Sequence, residues 1–300
     1  MEVFYHYRIN GSDCDPDYTG TVPFKIEHPQ WLLDSFWTAH QTPAKLYLDF
    51  SVPDVREHKL RILEEIAERY DFDGILIDFA RSPLLFRPGR QWELRNHLTD
   101  LIRAVRRMML RVAEERGRPM LRVLKIPENI RGCHLDGIDI ETWSREQLAD
   151  LLILGVRSVD VDIQDFRRIT SGTHIKLYPC FDDPHGSDGY VAPPLKVLRG
   201  VYANWWSQRP DGVSTFNWPY ARGEAAKVAG LRPDVAGEQR WQPYLQAYRE
   251  IGSPETLADK DKTFVVQRRG GWTLEYSQPR GLAHTARLLL QLERIRTIAG

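Results

Sequence analysis

Seven short apolar runs alternating with segments of helical period predict an α/β fold. The expected form is a parallel sheet curled into a TIM-type (β/α)8 barrel that lacks its first strand and carries a small C-terminal β appendage. Two further observations agree. Each run is followed by a stretch able to form a right-handed crossover, and such crossovers in series curl a sheet toward closure. A length of 300 residues, large for an average domain, suits one single-domain barrel.

The elements follow in order. EVFYHYRIN (2 to 10) is a strand in which Tyr5 and Tyr7 alternate with His6 and Arg8. Residues 16 to 43 read as a long loop with a short helix, and AKLYLDF (44 to 50) as the next strand. Pro53 opens a helix on which Val55, Leu60, Leu63, Ile66 and Ala67 recur at helical spacing up to Tyr70. GILIDFA (74 to 80) is a strand, and residues 92 to 116 form an arginine-rich helix ended by Gly117, whose missing Cβ suits a C-terminal cap. MLRVLKIP (120 to 127) precedes a short helix over 142 to 149, with Ser144 as its cap, and then strand DLLILG (150 to 155). A helix over Asp162 to Thr170 leads into HIKLYPCF (174 to 181), and one over Pro194 to Gln208 into VSTFNWP (213 to 219).

Residues 222 to 242 read as a loop or lid, and 243 to 251 as a helix with Tyr244, Leu245, Tyr248 and Ile251 on one face. From 262 onward TFVVQ, WTLEY and LLLQL read as antiparallel strands with Gly270 and Gly271 as a turn. The expected division is therefore a catalytic barrel over 1–260 and a small β appendage or truncated β-sandwich over 261–300. A closed barrel needs eight strands; with seven, exposed edges predict pairing with a second copy, a homo-oligomer.

Composition narrows the function. With 41 basic and 41 acidic residues the formal charge is zero, so no global field draws the chain to nucleic acid or anionic lipid. No apolar run approaches the roughly 18 residues of a membrane span. Neither nucleic acid nor membrane is an expected partner. Cys14, Cys133 and Cys180 are far apart and odd in number, which points to a reducing compartment. The N-terminus, MEVFYHYRING, lacks the basic-then-apolar pattern of a secretion signal, so a cytoplasmic location is expected. Aromatics at 11%, nine of them Trp, suit stacking on sugar rings.

Barrel enzymes carry their reacting groups at the C-terminal ends of strands. Those ends deliver Arg8 and Asn10, Asp49, Asp78 and Arg81, Lys125, Asp182 and Asp183 with His185, and Asn217 with Trp218. Asp78 stands out because it ends an apolar strand, where an ionised carboxylate is costly without a partner or a task. Asp182 holds the equivalent place on a distant strand. Cleavage of a glycosidic bond uses one acid to protonate the leaving oxygen and one carboxylate to stabilise or attack the anomeric carbon, a need that Asp78 and Asp182 meet as a catalytic pair. Arg8, Asn10, Asp49, Arg81, Lys125, Asn217 and Trp218 are the candidate substrate contacts. The cations among them either balance the aspartates or take a carboxylate or sulfate of an acidic sugar. Asp49 also reads as a helix N-cap, and His6 as a satisfied core histidine in preference to a proton shuttle.

Other chemistries lack their signatures. There is no GxSxG, Walker or GxGxxG motif and no HxH or HExxH. No cofactor and no metal is expected; magnesium on Asp49, Asp78 and Asp182 is the one conceivable ion. A sugar-phosphate or isomerase barrel would want a glycine-rich phosphate loop, of which DPHGSDG is a weak version.

The run LDFSVPDVREHKL…ERYDFDGILIDFAR resembles a group of bacterial glycoside-hydrolase-like TIM barrels, whose pattern is V-P-[DE]-V-R … Y-D-x-D-G-I-x-x-D-F. The likeness is close over residues 44 to 86 and looser at VSTFNW and LKVLRGVYANWW. In that group the strand after D-G-I commonly ends in two acids and Asn precedes the proline; here Phe79 and Val52 stand in those places, leaving Asp78 as the match to the acidic site. The resemblance implies a carbohydrate-directed enzyme whose parents start one strand earlier and continue into a C-terminal β domain. The sequence thus leads to a glycoside hydrolase acting on a glycan or acidic sugar derivative. The alternative is a non-catalytic glycan-binding TIM barrel.

Overall fold

Neighbouring parallel strands line up their side chains in rows, and the computed structural model shows six such strands. These are β1 (Phe4–Arg8), β2 (Gly74–Asp78), β3 (Leu121–Ile126), β4 (Leu151–Leu154), β5 (Lys176–Asp182) and β6 (Ser214–Phe216), each hydrogen-bonded to the next in chain order. The structure describes residues 1–11, 22–33, 47–80, 83–155, 158–182, 193–216 and 238–265; for Asp182 and residues 238–241 the backbone alone is described. The register aligns Tyr7, Ile77, Leu124, Leu152 and Leu177 in one row. All but Tyr7 are fully buried, and this outer face meets the helices.

The opposite face is the interior of a curled sheet. Six flat strands at ~4.8 Å spacing would hold their edges roughly 24 Å apart. Yet the ring of His6 on β1 lies 5.6 Å from that of Phe216 on β6. A parallel sheet in sequential order, curled until its first and last strands touch through side chains, is an α/β barrel-like architecture of the TIM type. Six of the eight strands of a closed barrel are present among the described residues.

One expected strand is absent. Residues 44 to 46 lie outside the described residues, and Tyr47–Phe50 makes only an isolated antiparallel bridge, Leu48 to Leu32. The reason is that β1 pairs directly with β2, so no position between them remains. Asn10 serves the segment instead: its amide oxygen accepts from the Leu48 N–H at 3.0 Å and its amide nitrogen donates to the Leu48 carbonyl at 3.1 Å, replacing a strand neighbour.

The helices are α1 (Pro23–Glu27), α2 (Pro53–Arg69), α3 (Gln91–Arg116), α4 (Ile130–Leu135), α5 (Ile140–Arg145), α6 (Ile163–Ile169), α7 (Leu195–Ser207), α8 (Glu238–Glu250) and α9 (Pro254–Leu257). Helix α2 turns Val55, Leu63, Ile66 and Ala67 onto the sheet, and α3 ends at Gly117, which takes the left-handed φ of 66°. The cap of α5 is Asp139, whose carboxylate accepts from the Thr142 amide; Ser144 is a buried residue inside the helix. Helix α8 begins at Glu238, inside the stretch read as a lid. Residues 261–265 form no strand, and the rest of the expected appendage lies outside the described residues. No helix among the described residues is long and apolar enough to cross a membrane.

At the N-terminal end of the barrel Asp150 ties three strands together. It accepts from the backbone and guanidinium of Arg122 and from His174 Nε2, while its own backbone pairs with β3 and β5. Burial raises its carboxyl pKa, but the hydrogen bonds and charge of Arg122 outweigh that and hold it below the ordinary carboxylate value. A lowered folded-state pKa contributes stability that is present above the unfolded value, near ~3.9, and is lost as pH falls through the folded one. Asp150→Asn should therefore cost about 3 kcal/mol at neutral pH, since Arg122 is left buried without its counter-ion. The gap in urea midpoint from the parent chain should close below about pH 4; a gap of constant size from pH 7 to pH 3 would contradict this account.

Candidate functional site

The register that builds the outer apolar rows places Arg8, Asp78 and Lys125 side by side on the inner face, at the C-terminal ends of β1, β2 and β3. Asp78 is 0% exposed. A buried carboxylate needs partners, and neighbouring strands supply them: His6 Nε2 lies 2.9 Å from Asp78 Oδ2, and Lys125 Nζ lies 3.8 Å from the same oxygen. Lys125 is sealed, with 2% of its side chain exposed, and its ammonium sits 3.5 Å over the ring of Phe216. The His6 side chain is 33% exposed. Asp78 thus has a closed side at Lys125 and an open side at His6.

An ionised carboxylate only accepts, so the imidazole nitrogen facing Asp78, Nε2, carries a hydrogen, and the ring's remaining nitrogen is Nδ1. The row continues through Ile153 and Tyr178 on β4 and β5, both half-buried. Tyr178 packs against Gly212, where a Cβ would come within 2.3 Å of its ring. The inner row therefore runs from charged side chains on β1 to β3 to apolar and aromatic ones on β4 and β5.

The remaining sequence candidates divide. Arg8 is exposed beside Asp78. Asn10 is 0% exposed and its amide is engaged with the backbone of Leu48 and Leu84, so its task is structural. Asp49 is not at a barrel strand end: its carboxylate accepts from the Ser51 amide at 2.9 Å and faces Arg87 at 3.7 Å, while Val52 is the N-cap position of α2. Asp182 closes β5 with its backbone opposite Phe216. Its side chain, together with Arg81, Asp183, His185, Asn217 and Trp218, lies outside the described residues.

The fold brings three further groups forward. His6, read from the sequence as a satisfied core histidine in preference to a proton shuttle, has a third of its side chain exposed. Phe216 reaches across the interior from β6. Glu128, buried just past β3, sits against Gly155 at the end of β4. Cys133 is no nucleophile, because burial and the charges of Asp136 and Glu128 push its thiol well above the usual range. Among the described residues no group of three His, Cys, Asp or Glu side chains could hold a metal ion.

The pairing makes a thermodynamic prediction. Asp78→Asn leaves Lys125 buried with its counter-charge removed and should lower stability by about 3 kcal/mol; adding Lys125→Met should recover most of that. Urea unfolding of the single and double variants checks it, and equal stabilities of the two would show that the pair does not couple.

No family model matches the chain, and no curated protein matches it. Among solved structures the chain is similar to the glycoside hydrolase domain of PelA from Pseudomonas aeruginosa, at 15% identity over 71% of this chain and 78% of that one, with a TM-score of 0.41. It is also similar to α-L-fucosidase isoenzyme 2 from Paenibacillus thiaminolyticus, at 14% identity and a TM-score of 0.44, over 89% of this chain and 42% of that one. A morphinone reductase follows at 15% identity and a TM-score of 0.34, over 64% of this chain and 56% of that one. Glycoside hydrolase domains thus stand among its structural neighbours. The fold itself is identified by the strand order and by the meeting of β1 with β6.

Proposed function

We propose that the chain is a glycoside-hydrolase-like enzyme that cleaves a glycosidic bond in a glycan or acidic sugar derivative, with the Asp78 cluster and Asp182 as its two working groups. The observation that carries this reading is the buried anion at the C-terminal end of β2, braced by His6 and Lys125 on the inner face of a curled parallel sheet. Such a charge is costly to bury, and two of its partners, His6 and Lys125, are side chains of the neighbouring strands. Asp182 is one strand from Phe216, whose ring touches both His6 and Lys125, so a single aromatic side chain bridges from its neighbouring strand to the Asp78 cluster.

The inner row suits the substrate class. A sugar has polar edges and an apolar face; Arg8 and the Asp78 cluster suit the first, and Ile153 with Tyr178 the second. Arg8 would also take a carboxylate or sulfate on the sugar. Hydrolysis needs one group to protonate the leaving oxygen and one carboxylate across the ring, the role assigned to Asp182.

The sealing of Asp78 favours a second reading, a glycan-binding barrel without turnover, because a carboxylate with no exposed surface cannot itself reach an anomeric carbon. One experiment separates the two. Neutral and uronic-acid-containing oligosaccharides are assayed for reducing-end release and, in parallel, for binding by calorimetry. Turnover that falls about a thousand-fold in Asp182→Asn, with the melting temperature held, is the expected result. Binding without release by the parent chain would transfer the assignment to the glycan-binding barrel.

A further inference from the structure

We infer that His6 is the group of this site that meets the substrate and exchanges a proton with it, and that Asp78 is its positioning residue; this rests on the glycoside-hydrolase reading and names the atom that does its acid–base work. The geometry separates the two side chains by access. Asp78 has no exposed surface, while a third of the His6 side chain is open, and a 2.9 Å hydrogen bond joins them. A proton cannot pass directly between a sealed carboxylate and a glycosidic oxygen, but it can pass through an imidazole whose side chain is partly open.

The groups around His6 favour this use. Asp78 faces it from β2, Lys125 stands behind Asp78 on β3, Phe216 lies against the ring from β6, and Arg8 is two residues along its own strand. The carboxylate holds the hydrogen on Nε2 and fixes the ring plane, as a carboxylate does for a general-base or metal-binding histidine. With Nε2 facing the Asp78 carboxylate, Nδ1 is the ring nitrogen left to cycle. In the first step the imidazolium Nδ1–H passes to the glycosidic oxygen as the anomeric C–O bond breaks with its electron pair, and a neutral alcohol departs. In the second, water oxygen bonds the anomeric carbon and loses a proton to Nδ1, which restores the imidazolium. Atoms and charge balance with water as the one co-reactant.

The test begins without substrate. In nitrogen-15 histidine spectra of the full chain, assigned by loss of the signal in His6→Gln, neutral His6 should be the Nε2–H tautomer. That tautomer preference should weaken in Asp78→Asn, or in Asp78→Asn with Lys125→Met should the single variant not fold. An Nδ1–H tautomer, or a tautomer preference indifferent to Asp78, would overturn the inference. Kinetics then distinguish a working histidine from a structural one: His6→Gln should lower kcat about a hundred-fold or more on any glycan that the parent chain cleaves, with KM little changed and one limb of the pH profile gone. An unaltered kcat would sink the role of His6 and leave the glycoside-hydrolase reading standing. Failure of the parent chain to cleave any glycan, with the Nε2–H tautomer intact, would sink that reading and with it the catalytic part of this one.

Discussion

The charge of Asp78 is the constraint on which the inner face is built. A carboxylate with no exposed surface is tolerated only where cations and hydrogen bonds replace water, and the attraction gains strength as water is excluded. Each replacement comes from a different strand: His6 from β1, Lys125 from β3, and from β6 the ring of Phe216 that covers the lysine. A slip of one residue between β1 and β2 would turn His6 and Arg8 toward the helices and bring Tyr5 and Tyr7 inward. The register is held from the apolar side by the row through Ile77, Leu124, Leu152 and Leu177, so the core that stabilises the barrel also aims its polar groups.

The run that resembles bacterial glycoside-hydrolase-like barrels now has a physical meaning residue by residue. Asp73 accepts from the Val3 amide and from Arg118, which fastens the start of β1 to β2. Gly74 lets the ring of Phe4 lie against β2, where a Cβ would meet the Leu121 carbonyl at 2.3 Å. Arg56 donates to the carbonyls of Phe50 and Ser51 and pins the turn before α2. Three of these motif positions are scaffolding, and Asp78 is the one that faces the interior. A likeness carried by scaffolding speaks to architecture more directly than to reaction.

Much of this was legible along the chain and some was not, for reasons that differ by residue. Strands over Gly74–Asp78 and Leu121–Ile126 announce themselves as apolar runs bounded by turn residues, and Gly117 as a helix stop. AKLYLDF carries the same local signal and yet its described part is no strand, because the pairing of β1 with β2 is a long-range fact that no window of residues records. The Ser144 cap failed because two polar residues compete, and Asp139 is the one placed three residues before a free amide, that of Thr142. His6 was misjudged for a related reason: whether an inward histidine is sealed or open depends on how far the sheet curls, and that is set by β6, some two hundred residues away.

Curl also decides what the buried polar groups are for. The amide of Asn10 and the carboxylate of Asp150 both bind backbone, and their burial is repaid locally by a strand substitute and by the junction of β3, β4 and β5. In His6, Asp78 and Lys125 the contacts run from side chain to side chain across three strands, a pattern that apolar residues of similar volume would commonly match or exceed in stability. Sequences that keep a costly polar interior where an apolar one would serve do so at functional sites more than elsewhere. Of these three side chains, the imidazole of His6 is the one with an open edge. On the reading proposed above, a proton moving between Asp78 and a ligand on the inner face would pass through that ring.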